Sequence, residues 1–222
     1  MLFPFERPRR AILKIFSYFV QAKKKIYIQE NLIEFNIVNL VIEKSIILDG
    51  LWQNEEYFHD ILDILKKDLT FNLKLDQDII NLIKVKNSVA LHVRWFETNE
   101  NSNNTNNLAI IYYRNAIGRI KKYIRDPHFL IFSDDIDATK EALDISNETI
   151  TYISKYTKNM PAVYDMYLMS MCENFIISNS TFSWWAAWLS SNKNKHILMP
   201  ISQIKMFGSE AWDKVTGSWV RY

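Results

Sequence analysis

Three polar clusters in the chain carry the residue types that chemistry on a phosphorylated ligand needs. His92 and Arg94 stand in LHVR (91–94). Ser133, Asp134 and Asp135 follow the apolar run HFLIF, and Ser178, Asn179, Ser180 and Thr181 follow NFII. Arg94 offers a permanently charged planar fork that matches phosphate oxygens. The pair Ser180 and Thr181 can open the next helix, whose free N–H groups and dipole favour an anion. Asp165 can accept from the ring or exocyclic N–H groups of a base. Each cluster thus suits one part of a nucleoside diphosphate. The four glycines (Gly50, Gly118, Gly208 and Gly217) build neither common glycine-rich phosphate loop. Phosphate is left to arginine, hydroxyls and helix N-termini.

Each feature also has a plainer structural reading. A Ser or Thr at a helix start is often only a cap. Asp135 and Asp137 at a helix start are expected from the dipole alone. His92 at a strand end can be a satisfied structural histidine. Trp184, Trp185 and Trp188, at helical spacing, read as core before they read as a stacking platform. The weight lies in their joint placement.

The elements that must position them follow from pattern. Short apolar runs rich in strand formers occur at 88–93, 128–132, 149–153, 174–177 and 196–199. Between them, helical spacing covers 108–125, 138–143, 162–172 and 181–189, with Ile111, Ile117, Ile120 and Ile124 near one face of the first. Strands alternating with helices imply parallel βαβ units and an α/β doubly wound sheet with helices on both faces. In such sheets ligands bind outside the carboxyl ends of the strands, where all three clusters fall. Residues 1–86 are less regular and read as a reduced N-terminal unit, with a strand at 45–48 and a helix at 57–69. Residues 87–222 read as the sheet domain. The stretch 97–107 (ETNENSNNTNN) is polar, without periodicity, and reads as a mobile loop.

Bulk properties set the class. The 222 residues are 48% hydrophobic and 23% charged, with a net charge of +2. That is ordinary for a globular protein and gives no electrostatic case for nucleic acid. Basic clusters at Arg7, Arg9 and Arg10 and at Lys23, Lys24 and Lys25 read first as solvated surface; peripheral contact with anionic headgroups is the alternative. The single cysteine, Cys172, permits no internal disulfide and fits a cytoplasmic, reducing compartment. No apolar run is long enough to cross a membrane as a helix.

The segment VYDMYLMSMCENFIISNSTFSWWAAWLS (163–190) closely resembles the last conserved block of bacterial α-1,2-fucosyltransferases. Supporting pieces stand in the same order: LDGLWQNEEYF (48–58), LHVR (91–94), YYRNAI (112–117) and IFSDD (131–135). The resemblance implies an inverting, metal-independent enzyme of GT-B type, with a C-terminal Rossmann-like domain. Such enzymes transfer fucose from GDP-fucose to a galactoside hydroxyl in surface glycan synthesis, with no cofactor. It further implies that His92 touches guanine or ribose, Arg94 the β-phosphate, and Asp165 guanine. Ser180 and Thr181 then lie near the diphosphate or fucose, and Ser133 and Asp134 border the donor. Two departures stand out. The family motif H-x-R-R-G-D-Y here reads His92-Val93-Arg94-Trp95-Phe96-Glu97-Thr98, so Glu97 takes the place of the acid and is the candidate base. The family's Gly-rich N-terminal turn is also absent from this sequence. Two other readings compete: Asp135-Ile136-Asp137 as the D-x-D of a metal-dependent transferase, and a non-catalytic nucleotide-sugar-binding relative of the same fold.

Overall fold

The computed structural model describes residues 25–28, 46–49, 55–95, 109–200 and 220–221. The chain divides into two compact units, 1–59 and 60–222. Residues 60–86 therefore group with the larger unit, whereas the sequence pattern assigns them to the smaller. In the first unit, β1 (Lys25–Ile28) and β2 (Ile46–Asp49) form a two-stranded parallel sheet. A 3₁₀ helix (Glu55–Ile61) leads to α1 (Leu62–Asp68) and α2 (Gln77–Ile83). The expected single helix over 57–69 is thus a 3₁₀ segment, itself kinked at Phe58, followed by a short α-helix from Leu62.

The second unit carries β3 (Ser88–Val93), α3 (Ile110–Ile120), β4 (His128–Ser133), α4 (Ile136–Leu143) and β5 (Thr149–Tyr152). A 3₁₀ turn (Ile153–Lys155) and α5 (Val163–Ser170) come next. The unit then runs through β6 (Asn174–Ile176), α6 (Thr181–Leu189), β7 (Ile197–Met199) and β8 (Val220–Arg221). The six strands β3 to β8 form one sheet, and every described pairing in it is parallel. The alternation of apolar runs and helical periods predicted this α/β architecture. β1, α2 and β8 had no sequence expectation.

All six residues of β3 and five of six in β4 are buried, which is why these segments read as unbroken apolar runs rather than alternating ones. On one face Val89, Leu91, Val93, Phe129 and Ile131 pack with Tyr112, Tyr113, Ala116, Ile117 and Ile120 of α3. Each such side chain taken from water contributes about 1.5–3 kcal/mol. One pleat on, His92 points to the other face, its ring 5.8 Å from Phe182 of α6. Helices therefore cover both faces.

Two details differ from the pattern. α3 ends at Ile120, with Ile117 and Ile120 buried as expected, but Ile111 is 60% exposed and Tyr112, Tyr113 and Ala116 complete the apolar stripe in its place. Ile124 is buried from the turn beyond the helix. The core reading of the tryptophans holds for two of three: Trp184 and Trp188 are buried and stacked at 6.4 Å, while Trp185 is half-buried. The expected polar loop at 97–107 lies outside the described residues, and so do Arg7, Arg9, Arg10, Lys23 and Lys24, while Lys25 opens β1.

Candidate functional site

The strand order is β5-β4-β3-β6-β7-β8. The chain builds outward from β3 through β4 to β5, then crosses back to start the other half at β6. This is the Rossmann order, and the reversal between β3 and β6 opens a crevice at the carboxyl ends of those strands. His92 is the penultimate residue of β3, and Ser178 lies just past β6. Their side chains meet across the switch point, with His92 Nδ1 2.8 Å from Ser178 Oγ. Ser178 Oγ lies 3.4 Å from Ser183 Oγ, whose proton goes to the Ser180 carbonyl at 3.2 Å. Burial, with the Arg94 guanidinium adding to it, pushes the His92 pKa down to about 3. His92 is therefore a neutral imidazole at ordinary pH. It can exchange a hydrogen bond with a base or ribose but supplies no positive charge to a phosphate.

Arg94 follows at the end of β3, with its side chain 42% exposed. Its Nη1 donates to Asp134 Oδ2 at the end of β4. The Trp95 N–H donates to the other oxygen, Asp134 Oδ1, at 2.9 Å. Asp134 thereby fixes both the side chain and the backbone that carry the cation. Trp95 is half-buried. It packs on the apolar core, and its Nε1–H donates to Thr139 Oγ1 at 2.9 Å. Thr139 donates in turn to the Asp135 carbonyl at 2.6 Å and lies 2.8 Å from Ser133 Oγ. Ser133 Oγ also accepts from the Asp135 N–H at 3.2 Å. The polar atoms of Ser133 are thus occupied inside the β4–α4 turn. Asp135 stands at the helix start where the dipole reading expected it, and it also caps α4, accepting from the Ala138 N–H at 2.9 Å. Asp137 lies 3.5 Å from Lys140. Burial also pushes the pKa of the Tyr113 hydroxyl, beneath Arg94, upward.

Asp165 sits in the first turn of α5. Ser154 Oγ donates to its Oδ2 at 2.6 Å, and Thr157 Oγ1 donates to its Oδ1. Ser154 Oγ accepts in turn from the Ser133 N–H at 3.1 Å. A chain of hydrogen bonds therefore joins Asp165 to the end of β4, beside the aspartate that holds Arg94. Sequence reasoning missed Ser154 and Thr157. They lie 11 and 8 residues before Asp165, in no contiguous motif, and no local signal marks them.

Ser180 is the N-cap of α6, accepting from the Phe182 N–H at 3.3 Å, and Thr181 is the first helical residue. Both lie at the β6 side of the crevice. The structure thus brings His92, Arg94, Ser133, Asp134, Asp165, Ser180 and Thr181 to the carboxyl edge of one sheet. Glu97 lies outside the described residues. Among the described residues no group of three or more His, Cys, Asp or Glu side chains is placed to hold a metal ion. None of the described helices is long and apolar enough to cross a membrane.

Comparison with known proteins gives four matches. The model of glycosyl transferase family 11 matches residues 7–221. The chain is 31% identical over 195 residues to an alpha-1,2-colitosyltransferase of Escherichia coli, covering 83% of this chain and 65% of that protein. It is 29% identical over 181 residues to the O-antigen biosynthesis glycosyltransferase WbnK of Escherichia coli, covering 74% of this chain and 58% of that one. The chain thus spans less than two thirds of the length of these relatives. Among solved structures, the fucosyltransferase NodZ from Bradyrhizobium matches with a TM-score of 0.41 and 18% identity, over 84% of this chain and 60% of that chain.

Proposed function

Because the chain belongs to glycosyl transferase family 11, we propose that it moves fucose from GDP-fucose to a galactoside hydroxyl, forming an α-1,2 linkage in surface glycan synthesis. The observation that carries this reading is the placement of Arg94 at the carboxyl end of β3, held by Asp134 beside the switch-point crevice. The names of the two relatives, an alpha-1,2-colitosyltransferase and an O-antigen biosynthesis glycosyltransferase, support the α-1,2 linkage and the surface-glycan product. On this reading the chain supplies the donor site of a GT-B-like enzyme working on the cytoplasmic side, with contact at the inner face of the membrane.

The chemistry follows from where charge develops. As the bond from fucose C1 to the phosphate oxygen breaks, negative charge grows on the β-phosphate and positive charge on the sugar ring. Arg94 and the N-terminus of α6, opened by Ser180 and Thr181, stabilise the leaving diphosphate without a metal. Asp165 holds the base, and neutral His92 hydrogen-bonds the base or ribose. Glu97 takes the proton of the acceptor hydroxyl.

Transfer from labelled GDP-fucose to lactose and a small panel of galactosides, with and without a chelator, tests this. The expected result is a labelled trisaccharide from lactose, formed at the same rate in the chelator. A parallel arm with a colitosyl donor reads donor preference. Product from no galactoside with GDP-fucose contradicts the proposal, and loss of activity in the chelator contradicts its metal-free form.

A further inference from the structure

The site contains a carboxylate with an unusual set of neighbours. Asp165 is half-buried, yet no lysine or arginine lies within ion-pair distance of it among the described residues. Its partners are two buried hydroxyls, one on each oxygen. The proton of Ser154 has one destination, since Ser154 Oγ already accepts from the Ser133 N–H and so donates to Asp165. A carboxylate has about four lone-pair sites. Two are taken here, one on each oxygen, which leaves one on each oxygen for a ligand. The terminal torsion of an aspartate is otherwise broad and two-fold. Two hydroxyls from fixed backbone remove that freedom.

We propose that Ser154 and Thr157 are positioning residues that set base specificity: they lock the Asp165 carboxylate so that its two remaining lone pairs meet an adjacent pair of N–H donors on a guanine edge. This rests on the function proposed above. Guanine presents a ring N–H beside an exocyclic amine, two parallel donors that match two carboxylate oxygens. Adenine presents a donor beside an acceptor, and uracil one N–H between two carbonyls. Both place a lone pair against a fixed carboxylate, so the same geometry that attracts guanine repels them. A freely turning carboxylate would discriminate less. The link from Ser154 to the Ser133 N–H adds register, because the next residue, Asp134, holds Arg94. Base and phosphate subsites are thus tied to the same strand end.

Isothermal titration with GDP, inosine diphosphate and GMP tests the assignment. Inosine lacks only the exocyclic amine, and GMP lacks only the β-phosphate. The wild-type protein is expected to prefer GDP over inosine diphosphate by about tenfold or more, the worth of one hydrogen bond to a charged group. Thr157→Val and Ser154→Ala should bring that ratio toward one while leaving the GDP to GMP ratio unchanged. Thr157→Ser, which keeps the hydroxyl, should restore it. A purely structural role moves all three ligands together, and that result overturns the inference, as do variants that discriminate like wild type. If Ser154→Ala does not fold, the Thr157 pair still decides. Failure of the wild-type protein to bind GDP overturns the functional reading itself. GDP binding with unaltered selectivity in the variants overturns this inference alone.

Discussion

Replacing Arg94 by alanine is expected to lower kcat/KM for the proposed fucosyl transfer about 10²–10³-fold, the usual loss when one preorganised donor to a developing negative charge is removed. The loss should fall on kcat as well as on KM, because charge on the β-phosphate is greater in the transition state than in the bound donor. Arg94→Lys should recover only part of the activity, since an ammonium cannot present the paired N–H groups of the guanidinium fork. Stability should change little. The Arg94–Asp134 pair is partly solvated, with side chains 42% and 30% exposed, and such pairs contribute about 0–1 kcal/mol. After the substitution Asp134 keeps its bond from the Trp95 N–H. Steady-state kinetics beside an unfolding curve for each variant separate the two effects. A variant that keeps wild-type kcat/KM would remove Arg94 from the mechanism.

The second large effect is on stability against pH. His92 has a folded pKa of about 3 against an ordinary value near 6.5. Above pH 6.5 both folded and unfolded chains hold the neutral ring, and its burial carries no protonation penalty. As pH falls below 6.5 the unfolded chain gains a proton that the folded chain refuses. Stability should therefore fall by about 1.4 kcal/mol per pH unit from this one group, down to a pH near 3. His128, whose pKa burial also lowers, adds loss of the same sign. The His92→Asn variant keeps a polar nitrogen or oxygen near the Nδ1 position and does not titrate. Urea unfolding from pH 7 to pH 4 should show a shallower acid loss in this variant, by about one proton's worth of slope. Parallel curves for the two proteins would show that His92 is not buried neutral. The same depressed pKa predicts that His92 contributes no limb to the pH–rate profile above pH 5.

Much of this was legible in the sequence, and the reason is physical. In a parallel sheet buried on both faces each strand must be an apolar run, so SVALHV and HFLIF announced β3 and β4. Polar residues just after such runs fall at the carboxyl edge, whatever the details of packing. The Ser180 cap was legible too, because capping is local: Ser180 bonds a backbone N–H two residues on. What pattern could not give were contacts between distant segments. Asp134 holds Trp95 from 39 residues away, and Trp95 reaches Thr139 across 44. Such bonds also tie Ser133 into the β4–α4 turn and Asp134 to Arg94, contacts that no motif announced. Ser154 and Thr157 escaped notice for the same reason. Ile111 illustrates the limit of periodicity. It fits an isoleucine stripe, yet the helix turns its tyrosines inward and leaves Ile111 in solvent. The neutrality of His92 is likewise a product of burial that no motif encodes.

The account rests on a guanine nucleotide binding at the crevice between β3 and β6, and thermal unfolding with added nucleotide measures that most directly. GDP at about a hundredfold over its dissociation constant should stabilise the protein by about 2.7 kcal/mol. For a chain of this size that is a rise of about 5–10 °C in Tm. ADP and UDP at the same concentration should give much smaller shifts. A Tm unmoved by millimolar GDP, or moved equally by all three nucleotides, would contradict the account.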